Sequence, residues 1–191
     1  ESEIIEYSDG IVKLTDKLLI LLKNLLNVNR IESGNYNYRL EAVKVSEVIQ
    51  EVIKIYQSSA DEKNISLVVQ SESAELKAKA DRYSLEQILS NLVSNGIKYT
   101  YPGKKVFIKI FEKESKIIIE VEDEGQGVKP GEISKLFDKF AKISSKPTGG
   151  ELSTGLGLSI VKKLTEIMRG SIQVTSEIGK GTKFTLEFNK A

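Results

Sequence analysis

Asn91, Asn95 and Lys98 follow one another at i, i+4 and i+7, so in a helix all three project from one face. Such a stripe is commonly a solvated face, but asparagine is a poor helix former and an exposed face more naturally carries Glu and Lys. Two carboxamides one turn apart offer oxygen ligands to Mg²⁺, with a cation beside them for phosphate. Asp123 ends a run in which Ile117, Ile119 and Val121 share a face, and period two puts its carboxylate on that same apolar side. A carboxylate there is costly without a dedicated partner, and a purine amino group can supply the hydrogen bond it needs. Gly125 and Gly127 follow, free to turn sharply or approach a ligand; the plain alternative is an acidic turn. Thr154-Gly155-Leu156-Gly157-Leu158-Ser159-Ile160 opens another helix, where backbone N–H groups can bind phosphate, although short glycine-rich turns are common. The loop before it, 141–154, holds Lys142, Lys146, Gly149 and Gly150, and reads either as a lid over phosphates or as a flexible connection. Thr182, in the turn segment Gly179–Phe184, is within reach of the same ligand if that turn is more than structural.

The elements that must hold these residues are legible from periodicity. Residues 81–99 form a helix with a buried stripe of Leu85, Ile88, Leu89, Leu92 and Val93. Residues 45–63 form another, with Val48, Ile49, Val52, Ile53 and Tyr56 on one face, and a third spans about 156–168. Strands are expected at 37–44, 65–70, 76–80, 105–111, 116–122, 171–176 and 182–188, with a tight turn at Lys113-Glu114-Ser115. Helices grouped on one face of a mixed sheet imply an α+β, two-layer α/β sandwich. A long helix precedes it: Ile4, Ile11, Leu18 and Leu25 take heptad position a, and Tyr7, Leu14, Leu21 and Val28 position d. Ile5, Val12, Leu19 and Leu26 widen that stripe to suit a helical bundle, implying self-association or pairing with another helix. Gly10 weakens one turn, and Ser33-Gly34-Asn35 ends the element.

Composition narrows the chemistry further. The 191 residues carry 28 basic and 27 acidic side chains, a net charge of +1, so no strong field favours nucleic acid or an anionic membrane. There is no cysteine, hence no disulfide, thiolate site or cysteine nucleophile, and no histidine, hence no imidazole base, ligand or phosphoacceptor. The aliphatic run Leu18–Leu22 is too short to cross a bilayer. The first residue is Glu1, as expected of a fragment or processed chain.

The order of these features carries a resemblance. Asn91–Tyr99 resembles the N box of sensor histidine kinases of two-component systems; Asp123–Gly127 resembles their first glycine box, Leu136–Phe140 their F box, and Gly155–Leu158 their second glycine box. Asn29–Gly34 is similar to the end of the second helix of their dimerisation and histidine-phosphotransfer domain. The resemblance implies the Bergerat ATP-binding fold over 33–191 and a dimerisation-domain helix over 1–32. It implies ATP or ADP as ligand and Mg²⁺ as cofactor. Asn95 would bind the metal, while Asn91 and Lys98, the catalytic pair, would orient the phosphates and neutralise their charge. Tyr99 would lie along the nucleotide, and Asp123 would accept from the adenine amino group. Gly125, Gly127, Gly155 and Gly157 would shape the pocket and lid hinges, with Leu156, Leu158, Lys142 and Thr182 completing it. ATP-hydrolysing relatives carry a glutamate base where Asn91 stands, so transfer to a protein nucleophile is expected instead. Gly96 departs from the usual alanine. The implied activity is a cytoplasmic protein-histidine kinase, its parent free or membrane-anchored. Its acceptor lies on a histidine-bearing dimerisation domain, and its downstream partner is a response regulator receiver domain. A degenerate kinase serving as a nucleotide-gated interaction module is the alternative.

Overall fold

A computed structural model describes residues 15, 18, 19, 21, 22, 24–141, 143–151 and 153–191. The heptad positions at Ile4, Ile5, Tyr7, Ile11, Val12 and Leu14, and Gly10 between them, lie outside the described residues, as does Lys142. The chain divides into two compact units, residues 1–36 and 37–191. In the first, the described residues between 15 and 32 are helical (α1), and Leu18, Leu19, Leu22, Leu25 and Leu26 are exposed. Gly34 takes a left-handed φ of 70° and its N–H caps the Ile31 carbonyl, the termination expected from Ser33-Gly34-Asn35.

The second unit runs β1 (Glu41–Lys44), α2 (Val45–Glu62), β2 (Ser66–Ser71), β3 (Lys77–Ala80), α3 (Arg82–Tyr99), β4 (Lys105–Lys113), β5 (Lys116–Asp123), α4 (Pro130–Ile133), α5 (Gly157–Ile167), β6 (Ser171–Glu177) and β7 (Gly181–Asn189). Five strands form a mixed sheet in the order β2-β4-β5-β7-β6, parallel only between β2 and β4. The helices pack α2 to α3 to α5 across it, giving the two-layer sandwich. Period-two alternation sends Val106, Ile108, Ile110, Ile117, Ile119, Val121, Phe184, Leu186 and Phe188 into the core, against Leu85, Ile88, Leu89 and Leu92 of α3.

Three sequence expectations need correction. Residues 37–40 are not strand; only 41–44 pair, because the segment's partner, β3, is itself four residues long. That pair forms a separate two-stranded sheet, since alternation alone does not say which sheet a strand joins. The short helix α4, opened by Pro130, was not anticipated. The hairpin turn fell where expected: Glu114 and Ser115 both have positive φ, the two-residue geometry that follows the strands' own twist.

Candidate nucleotide site

Helix α3 begins at Asp81, whose carboxylate accepts from Ser84 N (2.9 Å) and Ser84 Oγ (2.7 Å) and also from Arg39 N (3.0 Å). The cap fixes the helix phase, so the apolar stripe is buried and Asn91, Asn95 and Lys98 emerge together, all half-buried. Half-burial of three polar residues on one face excludes a simple solvated stripe. Asn91 Nδ2 donates to Gln87 O (2.9 Å), which aims Oδ1 at the start of α5. A Cβ on Gly157 would lie 2.8 Å from that oxygen, so the second glycine box abuts the first asparagine only because it lacks a side chain. Leu156, buried at the N-cap of α5, has no side-chain oxygen to offer, which leaves the first-turn N–H groups free for an anion. Burial pushes the Lys98 ammonium below its ordinary pKa, and the nearby Glu151 carboxylate opposes that shift.

Asp123 sits at the end of the sheet's buried face, between Val106 and Thr182 in register, with 8% of its surface exposed. Its Oδ1 accepts from Gly125 N (2.9 Å) and Thr182 N (3.3 Å), while Oδ2 accepts nothing among the described residues. Burial raises its pKa to about 6; the two backbone N–H groups pull it down and Glu122 adds to the rise. The surrounding glycines are sterically required. A Cβ on Gly125 would fall 2.5 Å from Tyr99 O, one on Gly127 (φ 70°) 2.1 Å from Glu177 O, and one on Gly181 (φ 115°) 1.7 Å from Asp123 O. The candidate groups are therefore a spare anionic acceptor at the end of β5 and, on α3 and α5, carboxamides, an ammonium and a helix N-terminus.

A model of the histidine kinase-, DNA gyrase B- and HSP90-like ATPase family matches residues 80–191, the stretch that carries all of these groups. The chain belongs to that family. Among its relatives is the sensor protein SrrB of Staphylococcus aureus strain N315, 31% identical over 188 residues, 98% of this chain and 32% of that protein. The chain thus spans about a third of the length of the curated relatives it matches. Full-length ShkA in complex with AMPPNP superposes with a TM-score of 0.83 at 28% identity, over 97% of this chain and 39% of that one. The catalytic domain of the histidine kinase ThkA gives 0.70 at 27% identity, over 80% of this chain and 96% of that domain. Within the family the chain is the ATPase catalytic domain of a sensor histidine kinase.

The segment between Leu136–Phe140 and Gly155–Leu158 is the loop whose sequence reads either as a lid or as a flexible connection. Its two ends meet: Phe140 N donates to Gly155 O (2.9 Å), and a Cβ on Gly155 would fall 3.0 Å from Phe140 Cα. Of the two F-box phenylalanines, Phe137 packs edge-on against Phe184 (6.4 Å between centroids), whereas Phe140 is exposed, so only the first fills core. Between these ends the loop is tied down by residues that periodicity does not single out. Ser144 bonds Glu132 through both N (3.1 Å) and Oγ (2.7 Å), and Ser145 Oγ donates to Gly127 O (2.8 Å). Thr148 donates to Lys98 O through N (2.9 Å) and to Thr100 O through Oγ1 (2.7 Å). Thr182, besides its N–H to Asp123, shares a 2.9 Å hydroxyl contact with Ser176. The structure thus brings Asn91 to Gly157, and Asp123 to Gly125 and Thr182, as neighbours.

Proposed function

We propose that this chain binds ATP in the groove between α3 and the 141–154 loop and delivers its γ-phosphate to a histidine on a dimerisation domain, for relay to a response regulator. The observation that carries the reading is Asp123, a buried carboxylate with one oxygen spent on the backbone and the other unused. An adenine amino group is the donor such an acceptor needs, and AMPPNP is the ligand of ShkA, a structural relative. At the other end Lys98 neutralises phosphate charge, the open N-terminus of α5 receives phosphate oxygens, and Asn91 orients them. Tyr99 and Leu158 border the nucleotide.

No cluster of three or more His, Cys, Asp or Glu among the described residues could cage a metal. Mg²⁺ held mainly by phosphates and water needs only one or two protein oxygens, and the Asn95 carboxamide, half-buried on the groove face, fits that demand. When bound, the ion would offset phosphate charge. The acceptor comes from outside these 191 residues, which contain no histidine. Helix α1, with its exposed leucines, is read as part of that dimerisation domain. A response regulator as downstream partner is consistent with ThkA, which has been crystallised with the response regulator TrrA.

Calorimetric titration with ADP and AMPPNP, with Mg²⁺ and then with chelator, tests the reading first. The second step supplies a histidine-bearing helical hairpin and radiolabelled ATP. Acid-labile label on the hairpin is the expected result. Binding without transfer would move the chain to a nucleotide-gated interaction module, and no binding at all would sink both.

A further inference from the structure

The last carbonyls of α3 have no partner within the helix, and each must find a donor elsewhere. Gly96 O is taken by Thr100 N, and Tyr99 O by Gln126 N. Ile97 O and Lys98 O both accept from one ammonium, that of Lys63, at 2.8 and 2.9 Å. Lys63 is the C-cap residue of α2 and lies outside every box motif. Its third hydrogen bond, at 2.5 Å, goes to Glu151 Oε1 in the loop between the F and second glycine boxes. All three ammonium hydrogens are thereby committed, and the side chain is only 12% exposed, Glu151's 29%. Glu151 is held in turn by Gly149 N on its other oxygen (2.8 Å). Burial opposes ionisation of Glu151, yet the Lys63 ammonium and nearby backbone N–H groups outweigh it and keep the carboxyl below its ordinary pKa. Thr148 makes a second, uncharged attachment of the loop to the same helix end.

We propose that Lys63 and Glu151 form a latch that fastens the lid loop to the C-terminal end of α3, so that Lys63 is a positioning residue governing lid opening and nucleotide exchange. The exchange half of this inference rests on the nucleotide reading above; the latch itself does not. The lid can open only by giving up the ion pair and the Thr148 bonds, along with the Ser144 and Ser145 bonds nearer its start. Of these the ion pair is the largest, because it joins two full charges and is mostly screened from water. Helix α2 thus holds the lid through a single side chain, although it contributes nothing to the groove.

Glu151→Gln tests this with little change of shape, since the amide oxygen can keep Gly149 N while an N–H₂ group replaces the oxygen that accepts from Lys63, so the charge and that hydrogen bond are lost together. Hydrogen exchange of the lid amides in 143–151 is followed by mass spectrometry on the whole chain, with stopped-flow release of a fluorescent ADP. Lid opening should accelerate roughly tenfold, between the near-zero effect of an exposed pair and the larger loss for a fully buried one. ADP release should accelerate by a similar factor, with a fall of only about 2 to 4 °C in melting temperature. Lys63→Met should free the lid to the same extent but lower the melting temperature further, because Ile97 O loses its donor and Lys98 O keeps only Thr148. The double variant should open no faster than either single one. Lid exchange in Glu151→Gln within about twofold of wild type, or additive effects in the double variant, would overturn the latch. A wild-type chain that binds no ADP would overturn the functional reading instead, and the amide exchange rates would still decide the latch.

Discussion

Replacing Asp123 by Asn should make the protein more stable and a worse nucleotide binder at once. The asparagine Oδ1 can retain both bonds, to Gly125 N and Thr182 N, so the loop geometry survives. What changes is the second atom, from a spare anionic acceptor to an N–H₂ donor. Asp123 has its pKa raised from 3.8 to about 6 by burial, so ionising it in the folded state carries a cost. The sign follows from folded above unfolded: the cost is absent below pH 4, grows as pH rises through 6, and is complete above it. A shift of about two units corresponds to roughly 3 kcal/mol. Asp123→Asn should recover about 2 to 3 kcal/mol of that at pH 7.5, a gain of roughly 5 to 10 °C in melting temperature for a domain of this size. Between pH 4 and 7 the wild type should lose that much stability relative to the variant. Adenine binding should move the other way. A donor facing the adenine amino group leaves both unpaired, at a cost of about 2 to 4 kcal/mol, or some 30- to 1,000-fold in affinity. Thermal melts across pH, beside ADP titrations, read both quantities. A variant that melts lower than wild type at pH 7.5, or that binds ADP equally well, would refute the assignment of a strained, adenine-directed carboxylate.

The remaining expectations use the same groove. Because Asp123 protonates as pH falls through about 6, wild-type ADP affinity should fall below that pH and Asp123→Asn affinity should not, as calorimetry at pH 5.5 and 7.5 will read. Asn95→Ala should weaken AMPPNP binding only when Mg²⁺ is present, leaving the chelated affinity within about twofold of wild type; equal losses in both conditions would mean that Asn95 serves the phosphates or the fold. Gly179 and Gly181 form a matched control, both at positive φ. Gly179→Ala meets open space and should cost only about 1 kcal/mol of backbone strain. Gly181→Ala would drive its Cβ to 1.7 Å from Asp123 O and should cost about 3 kcal/mol or more, abolishing ADP binding with it. Denaturant melts of the two variants, run side by side, separate strain from collision.

What the sequence revealed and what it hid divide along a physical line. Helix α3 was legible because Leu85, Ile88, Leu89, Leu92 and Val93 repeat at helical period and asparagines are out of place on a solvated face. Asp123 was legible because period two carries the strand's buried face two residues past Val121, its last apolar residue. Both are local signals. Lys63 and Glu151 are 88 positions apart, and neither stands out among its neighbours, so nothing local predicts their pairing. The same holds for Arg39 N on Asp81 and for Ser144 on Glu132. The assignment of β1 and β3 to a sheet of their own was hidden for a related reason, since alternation reports a face and not a partner. Gly125, Gly127 and Gly157 fall between these cases. Their motif marks them as sites of close approach, but only the fold says what approaches: Tyr99 O, Glu177 O and Asn91 Oδ1.

The residues around the groove also bear on which phosphate chemistry it favours. Water becomes a nucleophile here only if a carboxylate beside the γ-phosphate takes its proton. Asn91 cannot do so: its amide is not basic, and its Nδ2 is already donated to Gln87 O. Asp123 lies at the opposite end, its one spare oxygen directed to the adenine in the proposed reading. Glu151 is the acid that comes near Lys98, but its proton affinity is lowered by Lys63, and serving as base would mean breaking the bond that holds the lid. On the proposed reading, the described residues bind, orient and neutralise a triphosphate without activating water. A nucleophile that brings its own lone pair, as a neutral imidazole does, needs nothing more from this chain than a positioned γ-phosphate. That asymmetry favours transfer over hydrolysis on the strength of which acids are absent from the phosphate end and which are already engaged.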